Sequence, residues 1–319
     1  MEATVNLPEK IDETALKEAV RAEMQRLGMS QTRLSKESGI NQARLSQWFS
    51  GKYPGKTDVV AQELNRWLNS VQVRAKDTSR LSVTPDWKPT PTANNIVTAL
   101  RYAQNAGDIA LVYGGAGLGK TCTARRYQED NPNVWIATMT PAMNTVAACL
   151  ERIAFAVGLP EVQPSAVKTE NAIVARLEDT GGLLVVDEAQ HLPVSGLDAV
   201  RSIHDATGIG LALLGNESVY ARITGGSRQA HFAQLFSRVG YRVKLAVPSV
   251  GDVETIITAW GVTDSKAQTL CIDIAKQAGA LRGLTKVLRL AHMMLAEGEK
   301  ALSFDHIQTA WADLGGMAG

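Results

Sequence analysis

No apolar run in this chain approaches the roughly 18 residues of a membrane-spanning helix, so no membrane association is expected. The N-terminus places Glu2, Glu9, Asp12 and Glu13 where a secretory signal would place basic and then apolar residues, which predicts a cytoplasmic protein. An excess of one charge is missing too. Lys and Arg number 33 against 32 Asp and Glu, a net charge of +1, so any nucleic-acid contact has to come from local patches rather than a molecule-wide field. The three cysteines, Cys122, Cys149 and Cys271, form no CxxC pair and stand among apolar residues, which predicts buried free thiols instead of a redox or metal site. The five histidines lack ligand spacing, and no repeat or low-complexity tract is present. What remains is 319 residues, 45% hydrophobic and 20% charged, enough for two or three globular domains.

Residues 1–73 read as short helices. Ala15, Leu16, Ala19, Val20 and Met24 recur at helical spacing, and Gly28 ends that stretch. Two further helices meet at Gly39: Leu34 belongs to the first, Ile40 to the turn, and Leu45 and Trp48 to the second, so one apolar seam closes the pair. The second helix then presents Gln42, Arg44, Ser46 and Gln47 outward, side chains suited to base edges and phosphates. The stretch resembles a phage-repressor helix-turn-helix, which implies DNA binding through those residues. A helical hairpin with a protein partner is the alternative.

From 74 to 94 the chain is rich in Ser, Thr and Pro, and Pro85, Pro89 and Pro91 predict a linker. Residues 95–247 alternate apolar strands, at 109–113, 134–138, 183–187, 209–214 and 242–247, with helical stretches, the pattern of a parallel sheet covered on both faces. Beyond Pro248 the strands stop, and four helical stretches over 248–319 predict a small helical domain.

Gly114, Gly115, Ala116, Gly117, Leu118, Gly119, Lys120 and Thr121 make a full GxxxxGKT directly after a strand and at the start of a helix. Glycines let backbone N–H groups turn onto phosphate oxygens, and the helix N-terminus adds the positive end of its dipole. Lys120 then holds the β and γ phosphates of ATP, and Thr121 ligates Mg²⁺. About 65 residues on, Leu183-Leu-Val-Val-Asp-Glu188 is a buried strand ending in two acids: Asp187 suits the metal side and Glu188 the base that activates water. The continuation Ala189-Gln-His191 resembles a helicase box, but the paired-glycine arginine motif of such helicases does not follow.

Asn216 ends the fourth apolar run, where it can bond the attacking water or the γ-phosphate, or simply cap the next helix. Arg238 precedes the fifth strand, either as a surface charge or as an arginine that reaches a neighbouring subunit's γ-phosphate. Arg282 opens a helix of the last domain and either swings onto phosphate or pairs locally.

Taken in order, the phosphate loop, Asp187-Glu188, Asn216, Arg238 and Arg282 with a helical lid resemble the AAA+ ATPases, particularly their initiator-like branch. More specifically, the helix-turn-helix, Asn133-Val-Trp-Ile136, Thr140-Pro141, Thr224-Gly-Gly-Ser-Arg228, Leu235-Phe-Ser-Arg238 and Gly279-Ala-Leu-Arg282 are similar to the target-DNA activators of Mu-type transposition, over nearly the whole chain. The resemblance implies an α/β fold, a P-loop AAA+ parallel sheet with a C-terminal helical lid and an N-terminal all-α helix-turn-helix domain, using ATP and Mg²⁺. It implies head-to-tail self-assembly into a helical oligomer on double-stranded DNA, recruitment and activation of a DDE transposase, and target immunity. By likeness to filament-forming ATPases, Asn144 and Thr145, after the second strand, are assigned to the inner DNA surface. An ATP-gated transcriptional regulator and a helicase loader share the same parts and stay open as alternatives.

Overall fold

Three polar side chains start the first three helices, each accepting a backbone N–H that the helix itself cannot pair. In the computed structural model, which describes residues 12–81, 84–159, 165–224, 238–295, 299 and 301–316, Asp12 caps α1 (Glu13–Arg26), Ser30 caps α2 (Gln31–Ser38) and Asn41 caps α3 (Gln42–Phe49). Gly39 closes α2 in the left-handed region, with φ 75°. The chain divides into two compact units, Met1–Val83 and Thr84–Gly319.

In the first unit Leu34, Ile40, Leu45 and Trp48 are all fully buried, the apolar seam expected between α2 and α3. A long fourth helix, α4 (Thr57–Leu81), completes that core with Val60, Leu64, Trp67, Leu68 and Val71. Helix therefore continues through 74–81, where the composition predicts linker. Pro91 likewise begins a helix: its missing N–H costs nothing at the first position, and Thr90 caps α5 (Pro91–Ala106).

The second unit is built on five parallel strands, β1 (Ile109–Gly114), β2 (Val134–Thr138), β3 (Leu183–Asp187), β4 (Gly210–Gly215) and β5 (Val239–Leu245), in the order β2-β3-β4-β1-β5. Every residue of β1, β3 and β4 is buried, as continuous apolar strands covered on both sides must be. Alternation splits the core in two: Ala110, Val112, Val185 and Leu214 pack with α5 and α6 (Lys120–Asp130), while Leu111, Val186 and Leu213 face the other side. That other side is covered by α7 (Val146–Ala156), α8 (Ala166–Leu177) and α9 (Val194–Thr207). A short α10 (Glu217–Thr224) follows β4.

Four helices form the C-terminal lid with a core of its own: α11 (Val250–Ala259), α12 (Ser265–Lys276), α13 (Ala280–Met293) and α14 (Phe304–Asp313). Cys149 and Cys271 are buried free thiols, and burial pushes the Cys271 thiol up to about 12. Cys122 is exposed, contrary to expectation, because it lies on the solvent side of α6. No helix among the described residues is long and apolar enough to cross a membrane.

A buried charge joins the lid to the sheet domain. The Asp252 carboxylate, with no solvent exposure, accepts from the Thr92 backbone N (2.7 Å), the Thr92 hydroxyl (2.7 Å), the Ser249 backbone N (2.7 Å) and the Ser249 hydroxyl (2.8 Å). Burial alone would raise its pKa, but these four donors outweigh burial and hold it below the ordinary value. Asp252→Ala should therefore lower stability by about 3 kcal/mol, since it strands buried donors as well as removing bonds. A depressed carboxyl contributes stability that is full above its unfolded value and lost as pH falls through the folded one. Thermal unfolding should show wild type losing its advantage over Asp252→Asn as pH drops below about 4. An advantage that persists unchanged in acid would contradict the charged role.

Candidate active site

Parallel strands bring their C-terminal ends to one edge of the sheet, the edge where ligands bind in this architecture. Three of those ends carry the site. The 114–121 loop leaves β1 and runs into α6, whose first residue is Lys120. The Lys120 ammonium donates to the carbonyls of Gly114 (2.9 Å) and Gly115 (2.7 Å). Burial pushes its pKa below the ordinary lysine range; Glu188 and Asp187 oppose that shift and Arg282 adds to it. Lysine, two acids and arginine thus lie within electrostatic reach of one another.

β3 and β1 are separated by β4, yet the Thr121 hydroxyl reaches across to Asp187 Oδ2 at 2.8 Å. Asp187 is 1% exposed, and its other oxygen accepts from the Glu188 backbone N at 3.0 Å. Burial raises its pKa against these hydrogen bonds, so the carboxylate is incompletely compensated by the protein. A buried carboxylate beside a hydroxyl is a hard oxygen donor set, which fits Mg²⁺ better than a softer metal.

The lid completes the loop's surroundings. Gly117 O accepts from the Arg282 backbone N at 3.2 Å, and a Cβ on Gly117 would lie 2.1 Å from Gly279 O. Glycine is required at this position by the approach of the lid turn, a reason independent of phosphate and invisible in the motif. Gln190 also joins the site: its side-chain amide donates to Glu188 Oε2, and its carbonyl oxygen accepts from the Asn216 backbone N at 3.3 Å. No role for Gln190 is legible in the sequence, because nothing local says that a residue three places beyond a strand end folds back to meet the end of a different strand.

Asn216 lies at the end of β4 as expected, but its side-chain oxygen is engaged by Ser218, accepting from the backbone N at 2.9 Å and the hydroxyl at 2.6 Å. It caps the start of α10, the second of the two roles open from sequence. Thr145 is likewise a helix cap, accepting from Ala148 N at 3.2 Å, and with Asn144 it is exposed at the start of α7, beyond the end of β2. Arg238 is not brought to the loop. It precedes Val239, which pairs with Ile109, whereas the loop begins at Gly114, opposite Leu245. Five strand residues separate the two ends by about 17 Å. Arg238 instead pairs with Asp205 near the end of α9. The flanking motif residues 225–228 and 235–237 lie outside the described residues.

In the helix-turn-helix unit Gln42, Ser46 and Gln47 are exposed on α3. Arg44 differs from expectation. It is half-buried, its guanidinium 5.7 Å from the Tyr53 ring centroid, and its Nε is buried without a hydrogen-bond partner among the described residues. A cation drawn over an aromatic face gains attraction there at the expense of a fully outward pose. Lys17 and Arg21 on α1 also stand over rings of α3, Trp48 at 4.7 Å and Phe49 at 5.5 Å.

Known proteins match the chain region by region. The family described as Mu B transposition protein, C terminal, matches residues 237–314; an AAA domain matches 103–223 and a helix-turn-helix 20–65. The chain is 37% identical over 278 residues to the ATP-dependent target DNA activator B of Escherichia phage Mu, covering 87% of this chain and 88% of that one. It is 32% identical over 260 residues to the Mu-like prophage FluMu DNA transposition protein B of Haemophilus influenzae, covering 81% and 90%. Among solved structures, a Walker-type ATPase of Pyrococcus abyssi shares the fold at TM-score 0.50 and 11% identity, over 73% of this chain and 74% of that one. With homology running through the helix-turn-helix, the nucleotide domain and the lid, the chain belongs to the Mu B family of transposition proteins and is an AAA+ ATPase.

Proposed function

We propose that the protein is an ATP-dependent target-DNA activator: with ATP and Mg²⁺ it assembles head to tail on duplex DNA, recruits and activates a DDE transposase, and disassembles on hydrolysis. One observation carries this reading. A phosphate loop, a buried carboxylate and a second acid converge at one edge of the sheet, while Arg238 stands at the opposite edge, about 17 Å away measured along β1. An arginine so placed cannot serve its own site. It serves a neighbour's if subunits stack with one edge against the next, and a head-to-tail contact that does not close propagates as a helix. The relatives' names, target DNA activator and DNA transposition protein, support a role in transposition on DNA, which this reading sets in the cytoplasm of a bacterial host.

In this reading the loop's backbone N–H groups and Lys120 hold the phosphates, Thr121 and Asp187 hold Mg²⁺, and Arg282 senses the γ-phosphate from the lid. Bound Mg²⁺ neutralises phosphate charge. Glu188 takes the proton of the attacking water, Asn216 bonds that water or the γ-phosphate through its amide nitrogen, and Arg238 of the next subunit stabilises the charge that develops. DNA is held at two places: Gln42, Gln47 and, after leaving Tyr53, Arg44 in the helix-turn-helix, and Asn144 and Thr145 on the assembly's inner surface. A subunit of net charge +1 grips DNA weakly, but many subunits add their phosphate contacts.

Electron microscopy on random-sequence duplex DNA tests the proposal. Helical assemblies are expected with ATP and absent with ADP, their binding should weaken steeply with salt, and they should stimulate strand transfer by the cognate transposase. Discrete sequence-bound dimers indifferent to nucleotide would support a transcriptional regulator instead.

A further inference from the structure

We propose that Gln190 is a positioning residue for hydrolysis: its side-chain amide ties the Glu188 carboxylate to the end of β4, so that the base is held in place by the strand that carries Asn216. This rests on reading Glu188 as the base. Glu188 has φ 54° and ψ 40°, the left-handed region, which a residue with a Cβ adopts only at a cost. Its backbone is pinned by Asp187 Oδ1, which accepts from Glu188 N at 3.0 Å, and by a 3₁₀ turn over Ala189–His191 closed by His191 N donating to Glu188 O at 3.0 Å. That turn folds Gln190 back toward the residue two places before it.

An amide suits the position for a chemical reason. One end donates to the Glu188 carboxylate and the other accepts from the Asn216 N–H, the orientation in which the carboxylate meets a donor and the N–H an acceptor. It carries no charge, so it orients the base without neutralising it. A glutamate there would still accept from Asn216 but would set a like charge against Glu188. Space for the bridge depends on Gly215, where a Cβ would lie 2.7 Å from Gln190 Oε1 and 2.4 Å from Val219 Cγ2. Asn216 in turn holds Ser218, so the base, the β4 end and the start of α10 form one hydrogen-bonded chain.

The test is a double-mutant cycle on the full-length protein. Gln190→Met and Gln190→Glu are each measured alone and with Glu188→Gln, by steady-state ATP hydrolysis and by equilibrium ATP titration. Each single variant should lose about 10-fold in kcat, with KM and ATP affinity within about twofold of wild type. In the Glu188→Gln background the same substitutions should change the residual rate by less than about twofold, because the group they position has already gone. Gln190→Glu retains the shape and the Asn216 contact, so it keeps the cycle decisive if Gln190→Met folds poorly. Wild-type kcat in Gln190→Glu, or an equal loss in both backgrounds, overturns the positioning role. If Glu188→Gln itself turns over at the wild-type rate, the reading of Glu188 fails; if it is inactive while Gln190→Glu is normal, only the bridge fails.

Discussion

Lys120→Ala should leave the protein with ATP turnover reduced at least about 100-fold, because it removes the one side-chain cation of the phosphate loop from a partly buried site where charge is poorly screened. Affinity should fall with it. A charge-assisted hydrogen bond is worth about 1.5–3 kcal/mol, roughly a 10- to 150-fold weakening, measurable by equilibrium titration with a fluorescent ATP analogue. In the present geometry the ammonium bonds the carbonyls of Gly114 and Gly115, so the substitution also loosens the loop's own conformation. Wild-type ATP binding by this variant would remove the loop from the nucleotide site. Mixing Lys120→Ala with Arg238→Ala extends the test: if Arg238 acts on a neighbour, some mixed interfaces pair an intact loop with an intact arginine and activity partly returns. No rescue in assemblies shown to be mixed would place Arg238 outside catalysis.

Glu188→Gln should separate hydrolysis from binding. The substitution keeps size and polarity but removes the proton acceptor, so turnover should drop by about 10²–10⁴-fold. ATP affinity should stay within a few fold, because the Thr121–Asp187 pair and the loop are unchanged. The amide oxygen can still accept from Gln190, so the variant should keep its fold and accumulate as ATP-bound assemblies on DNA. A steady-state rate equal to wild type would show that Glu188 is not the base.

Much of this architecture is legible locally. Strands at 134–138 and 183–187 fall where the apolar runs put them, and β1, β4 and β5 differ from expectation only at their ends. Continuous apolar runs survive translation into structure because β1, β3 and β4 are buried on both faces, so every position but the functional Asp187 at the end of β3 is uncharged. The Ser, Thr and Pro content of 74–94 hides two helical segments: α4 runs on to Leu81, and Pro91 sits at the start of α5, where its missing N–H costs nothing.

The site divides along the same line. A strand, a glycine loop and a helix are contiguous, so the GxxxxGKT motif and the Asp-Glu pair declared the nucleotide chemistry from sequence alone, together with the fold class and the helix-turn-helix seam. Only tertiary structure decided that Thr121 reaches Asp187 across an intervening strand, that Gly117 is small because the lid turn presses on it, that Asn216 caps a helix and that Gln190 bridges two strand ends. It also decided that Arg44 lies against Tyr53, that Asp252 bonds Thr92 and that Arg238 stands at the far edge of the sheet. The physical reason is range. Hydrophobic period, capping and glycine loops act over a few residues and leave a mark in the sequence, whereas these contacts join elements by strand order, and strand order is set by how the whole sheet buries its faces.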